Sequence, residues 1–341
     1  MFRDIVLQDT RQDEWPAIRG RILARVLASM GTPPNVVVAP DYEVVKEYER
    51  YGLRHQKVRY RVMPDEDGLA VIVLPEGIGK GRRAPAVVVC HGTYGGQLGK
   101  DGPLSTEGPE RRYAIELAQR GFVTVTPDNY EFGERLTRGE DMPTAEVTRR
   151  YVQSMVRFQE RHPEWSLDGR RLWEHQRLLD VLDGLPFIQP RAYGVIGHSL
   201  GGRTAVFLAA LDERIAVAVP SCGMSPNLTN VYRVVSGHPA AKSSPEWIAH
   251  FQRTGGHMMY DYQEMIALCA PRPLLIVEPY NDAYNPYIEA NFQCYATGQH
   301  VYELLGKPEC FRSLTHGDGH DTADDVREFA YGWIKRWLRA G

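Results

Sequence analysis

YGVIGHSLGGRTAVFLAAL, residues 193–211, is the stretch whose reading decides the fold. YGVIG is a short run apolar on both faces, as a strand is when helices cover both sides of its sheet. GRTAVFLAAL is a run of small and apolar residues of helix length. Between them stands Gly197-His198-Ser199-Leu200-Gly201, a G-x-S-x-G pattern on a predicted strand-to-helix turn. A serine on such a turn takes a strained backbone that pushes its hydroxyl outward, and the glycines beside it are needed because side chains there would meet neighbouring backbone. The following helix aims its first amides at the same spot, so the Leu200 N–H is a candidate donor to a developing oxyanion. Ser199 is therefore the candidate nucleophile.

Working outward, similar apolar runs recur at AVVVC (86–90), FVTVT (122–126), IAVAV (215–219) and PLLIV (273–277), separated by segments long enough for helical crossovers. HQKVRYRV (55–62) and LAVIVL (69–74) flank the turn PDEDG and read as an antiparallel hairpin. Trp15, Ile18, Ile22, Val26, Leu27 and Met30 repeat at helical spacing, as do Val326, Phe329, Ala330, Trp333, Ile334, Trp337 and Leu338. The sum is an α/β class chain: one mostly parallel sheet led by a hairpin, preceded by an N-terminal helical extension over 1–54. Two intervals, about 129–172 and 224–268, exceed simple crossovers and leave the C-terminal ends of predicted strands, where open α/β sheets place ligands. They are read as lid insertions, with Met258 and Tyr260 as candidate substrate contacts.

The composition bounds the class. The 341 residues are 43% apolar and 24% charged, with 40 Lys plus Arg against 43 Asp plus Glu and a formal charge of -3. Apolar content this high argues against disorder, and the near balance of charge argues against a protein held on nucleic acid by its field. No apolar run approaches the roughly 18 residues of a membrane span. The N-terminus, MFRDIVLQDTRQDEWPAIRG, does not read as a secretory leader, and the five scattered cysteines form no CxxC pair. A cytoplasmic protein is expected, with a small-molecule substrate and neither nucleic acid nor membrane as partner. The 18 Tyr and six Trp could serve a homo-oligomer interface or a lid.

A serine nucleophile requires a base and an orienting acid further along the chain. After PLLIV comes EPYNDAYNP, offering Glu278 and Asp282; ahead of the C-terminal helix comes HGDGHDT, offering His316 and His320. Asp282 is preferred because its loop can carry a carboxylate over the sheet edge, and His320 because the Gly-Asp-Gly loop lets an imidazole reach inward. Glu278 and His316 stay open. His316, Asp318, His320 and Asp321 also have ligand types suited to a metal, but no second cluster of comparable density accompanies them and no metal is assigned. CHGTYGG (90–96) follows the strand AVVVC and lacks the phosphate-loop pattern. Its place suits a second oxyanion amide, from Thr93 or Tyr94. Tyr94 and His198 are further candidate substrate contacts.

With VVVCHGTYGG, RGFVTVTPDNYEFGER, GHSLGG, PRPLLIVEPYNDAYNP and HGDGHDTADDVREFAYGWIKRWL, the chain resembles the α/β-hydrolase superfamily over about residues 55–340, and within it the branch of dienelactone-hydrolase-like and acetyl-xylan-esterase-like serine esterases. The resemblance implies an eight-stranded sheet with an antiparallel second strand, hydrolysis of carboxylic esters without a cofactor, and Ser199, His320 and Asp282 as nucleophile, base and acid, with Asp128 structural. Departures limit it. Dienelactone hydrolases proper carry Cys where Ser199 stands, glucuronoyl esterases carry Cys and Arg where His198 and Leu200 stand, and there is no room for the propeller of the prolyl-oligopeptidase relatives. The same three groups would also serve amide, peptide or carbon-carbon bond hydrolysis, and the fold can act as a non-catalytic binding module.

Overall fold

The structure is a computed structural model that describes residues 5–79, 81–93, 98–137, 140, 142–230 and 244–338. Among the described residues nine strands form one sheet: β1 (Tyr42–Arg50), β2 (Leu53–Met63), β3 (Glu66–Leu74), β4 (Ala84–Cys90), β5 (Val123–Pro127), β6 (Ile188–His198), β7 (Ile215–Ser221), β8 (Leu274–Pro279) and β9 (Phe311–His316). Their order is β1-β2-β3-β5-β4-β6-β7-β8-β9. β1, β2 and β3 pair antiparallel, β3 meets β5 antiparallel, and every pair from β5 to β9 is parallel.

The strand total is one more than the eight expected. β1 lies inside the segment read as a purely helical extension, so the sheet begins at Tyr42 rather than near residue 55. Its residues are exposed along almost the whole strand. A strand with little burial on either face has no apolar alternation to announce it.

Helix α1 (Trp15–Met30) buries Trp15, Ile22, Val26 and Met30 against the helical layer of the body. On the other face of the sheet pack α2 (Tyr113–Gln119) and the C-terminal helix Asp324–Trp337, which buries Val326, Ala330, Trp333 and Ile334 there. Two apolar layers therefore sandwich β4, β6 and β8, whose core residues are almost wholly buried. No helix among the described residues is long and apolar enough to cross a membrane.

The order places β5 on one side of β4 and β6 on the other. β4 and β6 run in register with Cys90 opposite Gly197. The loop after β4 and the turn after β6 thus emerge side by side at the C-terminal end of the sheet, the switch point where such sheets bind ligands.

In their described residues the two insertions pack onto the body of the fold. The first contains α3 (Gly133–Thr137) and α4 (Thr144–Arg161) and leads into α5 (Leu167–Asp183). Met155, Phe158, Trp165 and Leu167 form its own apolar cluster. Arg135 bonds Glu174 at 2.9 Å, Arg170 bonds Glu174 at 2.6 Å and Glu66 at 2.8 Å, and Arg171 pairs with Glu131. Breaking one partner of such buried pairs leaves an uncompensated charge, which ties the segment to the body. In the second, Tyr260 packs edge-on against Trp247, 4.6 Å between centroids, and against Phe207 at 6.0 Å.

Candidate active site

At the end of β6, Ser199 has φ 55° and ψ -115°, a conformation an L-residue adopts only where its surroundings impose it. Its amide donates to the Ser221 carbonyl at 2.8 Å and its carbonyl accepts from Arg203 N–H at 2.9 Å. Close backbone packing supplies the constraint. A Cβ on Gly201 would lie 2.0 Å from the Cys90 carbonyl oxygen, and one on Gly197 would lie 2.3 Å from the Gly201 oxygen. α6 (Leu200–Leu211) starts directly after the serine, so its free N-terminal amides face the site.

Of the two carboxylates considered, the structure joins Asp282 to a histidine. His320 Nδ1 lies 2.7 Å from Asp282 Oδ2. Asp282 is buried, and its Oδ1 accepts from the amides of Tyr284 at 2.7 Å and Asn285 at 3.2 Å. Burial pushes this carboxyl up, but the hydrogen bonds with His320 and the two amides prevail and hold it below its ordinary value. With Asp282 ionised, His320 carries its proton on Nδ1 and leaves Nε2 as an acceptor.

Glu278, four residues earlier, is spent elsewhere: its Oε1 accepts from Gly223 and Met224 amides at 2.8 and 2.7 Å. Burial raises it well above the usual carboxylate range. His316 bonds Asp318 at 3.0 Å, and Asp321 bonds Arg111 at 2.9 Å. Within the 316–321 loop, His316 and Asp318 therefore pair with each other, while His320 turns to Asp282 and Asp321 to Arg111. Asp128, buried between Gly99 and Gly133, accepts from the Lys100 amide at 2.7 Å.

Ser199 and His320 share a cavity of about 500 Å³ with Gly92, Thr93, Pro109, His198, Leu200, Arg203, Cys222, Gly223, Tyr284 and Asn285. Thr93, His198 and Leu200, singled out from the sequence, are among them. Tyr94 lies outside the described residues. Met258 and Tyr260 do not line the cavity; both sit in the apolar core, where their burial removes more surface from water than a cavity wall would.

Four residues that sequence reasoning passed over shape this site. Arg203, one helical turn beyond Ser199, bonds Asp168 at 2.6 Å and the Tyr262 hydroxyl at 2.5 Å; its i+4 spacing from the serine was a usable signal. Cys222 follows the end of β7, another strand-end position. His91 accepts from the Asn129 amide on Nε2 at 3.1 Å, so Nδ1 donates to the Gly92 carbonyl at 2.7 Å. Burial pushes its imidazole down to about 4, which keeps that tautomer neutral. The Gly92 amide donates to buried Glu110, whose carboxyl is raised by burial to about 8. His91 and Glu110 thus clamp both polar groups of Gly92, the residue before Thr93. His198 is also buried, and burial with the neighbouring His320 pushes it down to about 3.

The family model described as "Glucuronyl esterase, fungi" matches residues 170–306. "Putative hydrolase YtaP" of Bacillus subtilis is 25% identical over 264 residues, covering 74% of this chain and 79% of the relative. 4-O-methyl-glucuronoyl methylesterase 1 of Wolfiporia cocos is 26% identical over 187 residues, covering 49% of this chain and 45% of the relative. Among solved structures, a glucuronoyl esterase from Solibacter usitatus superposes with a TM-score of 0.71 at 16% identity, covering 98% of this chain and 97% of that one. A "putative acetyl xylan esterase" from Bacteroides fragilis gives 0.63 at 19% identity, covering 91% and 78%. Strand order, the strained turn at Ser199 and these structural likenesses give the chain the α/β-hydrolase fold, and its sequence is similar to carbohydrate esterases of that fold.

Proposed function

We propose that the chain is a carboxylic ester hydrolase working through an acyl-enzyme on Ser199, with a small or medium-sized ester as substrate. The observation that carries the reading is the 2.7 Å pair of His320 and Asp282 opening into the same cavity as the strained serine. His320 Nε2 takes the Ser199 proton as the hydroxyl oxygen attacks the acyl carbon, and Asp282 holds the imidazole tautomer and steadies the imidazolium. The amides of Leu200 and Thr93 receive the oxyanion. His320 then returns the proton to the leaving alcohol, and water repeats the sequence to free the acid.

The esterases among the relatives support the reaction class, while the acyl group is a separate question. His198 and Leu200 stand where glucuronoyl esterases carry Cys and Arg, so the oxyanion here depends on backbone amides. Ser199→Ala is expected to lower turnover of a short p-nitrophenyl ester by about 10⁴-fold or more, with the circular dichroism spectrum unchanged. A fluorophosphonate probe should label the wild type at Ser199 and leave the variant unlabelled. Turnover that survives the substitution would overturn the mechanism.

A further inference from the structure

We propose that His198, Cys222 and His320 form a binding site for a thiophilic divalent cation, with zinc as the best fit, inside the substrate cavity. The three come from separate elements. β6 and β7 pair in parallel with His198 opposite Ser221, which brings His198 beside the residue after β7, and the loop following β9 lowers His320 onto both. One ligand atom from each, two imidazole nitrogens and a thiol sulfur, lies within 4.8 Å of the others. The two imidazole rings stand edge to face with centroids 4.8 Å apart.

Two further observations point to a ligand. His198 is 1% exposed, and its Nε2 is buried with no hydrogen-bond partner, a state that native structures rarely leave without a use. Its other nitrogen is 3.4 Å from the Thr322 hydroxyl. Cys222 has φ 51°, in the left-handed region that a β-carbon disfavours. It is held there by its amide, which donates to the Val277 carbonyl at 2.8 Å, and by its carbonyl, which accepts from Asn285 Nδ2 at 3.3 Å. Among the described residues the thiol's hydrogen-bond contacts are long, 3.7 Å to the Asp321 carbonyl and 3.7 Å from the Ser221 hydroxyl. Strain of this kind persists where surrounding structure enforces it, and it clusters at functional positions.

Two imidazoles and one thiolate form a zinc ligand set, and three protein ligands leave a fourth position open. Zinc bonds of about 2.0 to 2.3 Å would draw the three atoms to roughly 3.3–3.7 Å apart, a contraction within reach of side-chain rotation. Asp282 on His320 Nδ1 supplies the carboxylate that commonly orients a metal-bound imidazole. Calcium and magnesium are disfavoured because the set offers no oxygen. On binding, the Cys222 thiol loses its proton to solvent and no oxidation state changes. The consequence for turnover rests on the ester-hydrolase reading: a cation holding His320 Nε2 takes the lone pair that must accept the Ser199 proton, so the bound form is inactive.

Cobalt(II) added to the metal-free full-length protein tests the site without turnover. The expected result is a thiolate-to-cobalt charge-transfer band and tetrahedral visible bands saturating at one cobalt per chain, also in Ser199→Ala, and absent in Cys222→Ala. Zinc should inhibit p-nitrophenyl ester hydrolysis reversibly to EDTA, with at least about tenfold more zinc required in Cys222→Ala, each variant being referred to its own metal-free rate. Cys222→Ser, which keeps the side-chain size, provides the same reading if the alanine variant does not fold. No charge-transfer band in the wild type, or a band unchanged on replacing Cys222, overturns the site. A cobalt spectrum as expected on a protein that hydrolyses no ester would keep the site and remove the ester reading.

Discussion

The two halves of the site are built on different principles. The elbow half, residues 197–202 with Cys90 and Ser221, is a backbone construction whose glycines exist because carbonyl oxygens occupy the space a side chain would need. The acid-base half joins residues 38 positions apart, from loops that carry Tyr280, Tyr284 and Tyr287 largely exposed. The first half is held by steric exclusion and the second by one charge-assisted hydrogen bond and two amides on Asp282. Close packing of backbone tolerates almost no change, whereas a loop-borne side chain can be redirected cheaply.

The largest effect that could break this comparison lies in the acid-base half. Asp282→Asn should lower kcat on a p-nitrophenyl ester by about 10³ to 10⁴-fold, since an amide would favour the wrong imidazole tautomer. Glu278→Gln, which keeps a carbonyl acceptor for the Gly223 and Met224 amides, should cost less than about tenfold. A reversal of that order would transfer the acid role to Glu278.

Stability separates the halves next. Gly201→Ala puts a Cβ 2.0 Å from a carbonyl oxygen and should cost about 3 kcal/mol or more in urea unfolding. Gly319→Ala, at φ +67° in open space on the His320 loop, should cost only about 1 kcal/mol. Equal losses would mean that the two halves are equally intolerant of an added side chain.

The most gradual effect concerns Glu110 beneath the loop that follows β4. Its folded value of about 8 lies above the ordinary 4.5, so between those values the unfolded chain has released a proton that the folded protein keeps. Stability contributed by this group therefore falls as pH rises through that window and levels off above it. Glu110→Gln should flatten the decline by about 1 kcal/mol per pH unit, read from urea midpoints across the window. A slope unchanged by the substitution would show that another group sets it.

The same contrast explains what could be read in advance. G-x-S-x-G between an apolar strand and a small-residue helix is a short-range pattern, set by backbone sterics within a few residues, and so are the hairpin over 55–74 and the stripe of the C-terminal helix. β1 escaped because an exposed strand carries no apolar period. Met258 and Tyr260 were drawn toward the site by their place after a strand, yet burial in the core claimed them. In its described residues the first insertion is tied to the body by ion pairs of buried arginines whose partners, such as Glu66 for Arg170, lie far away in the chain, and the second by aromatic packing of Tyr260 on Trp247 and Phe207.

By itself, then, the sequence determined the α/β class, the strand-turn-helix around Ser199, and a supply of acids and histidines in the right order after it. Only the tertiary structure decided that Asp282 faces His320 while Glu278 binds the Gly223 and Met224 amides, that Arg203 and Cys222 join the cavity, and that His198 keeps a nitrogen unpartnered among the described residues. The physical reason is range. Backbone strain and apolar periodicity are written in neighbouring residues, whereas the choice between two carboxylates four residues apart depends on which one the folded loops desolvate and which they bring to an imidazole.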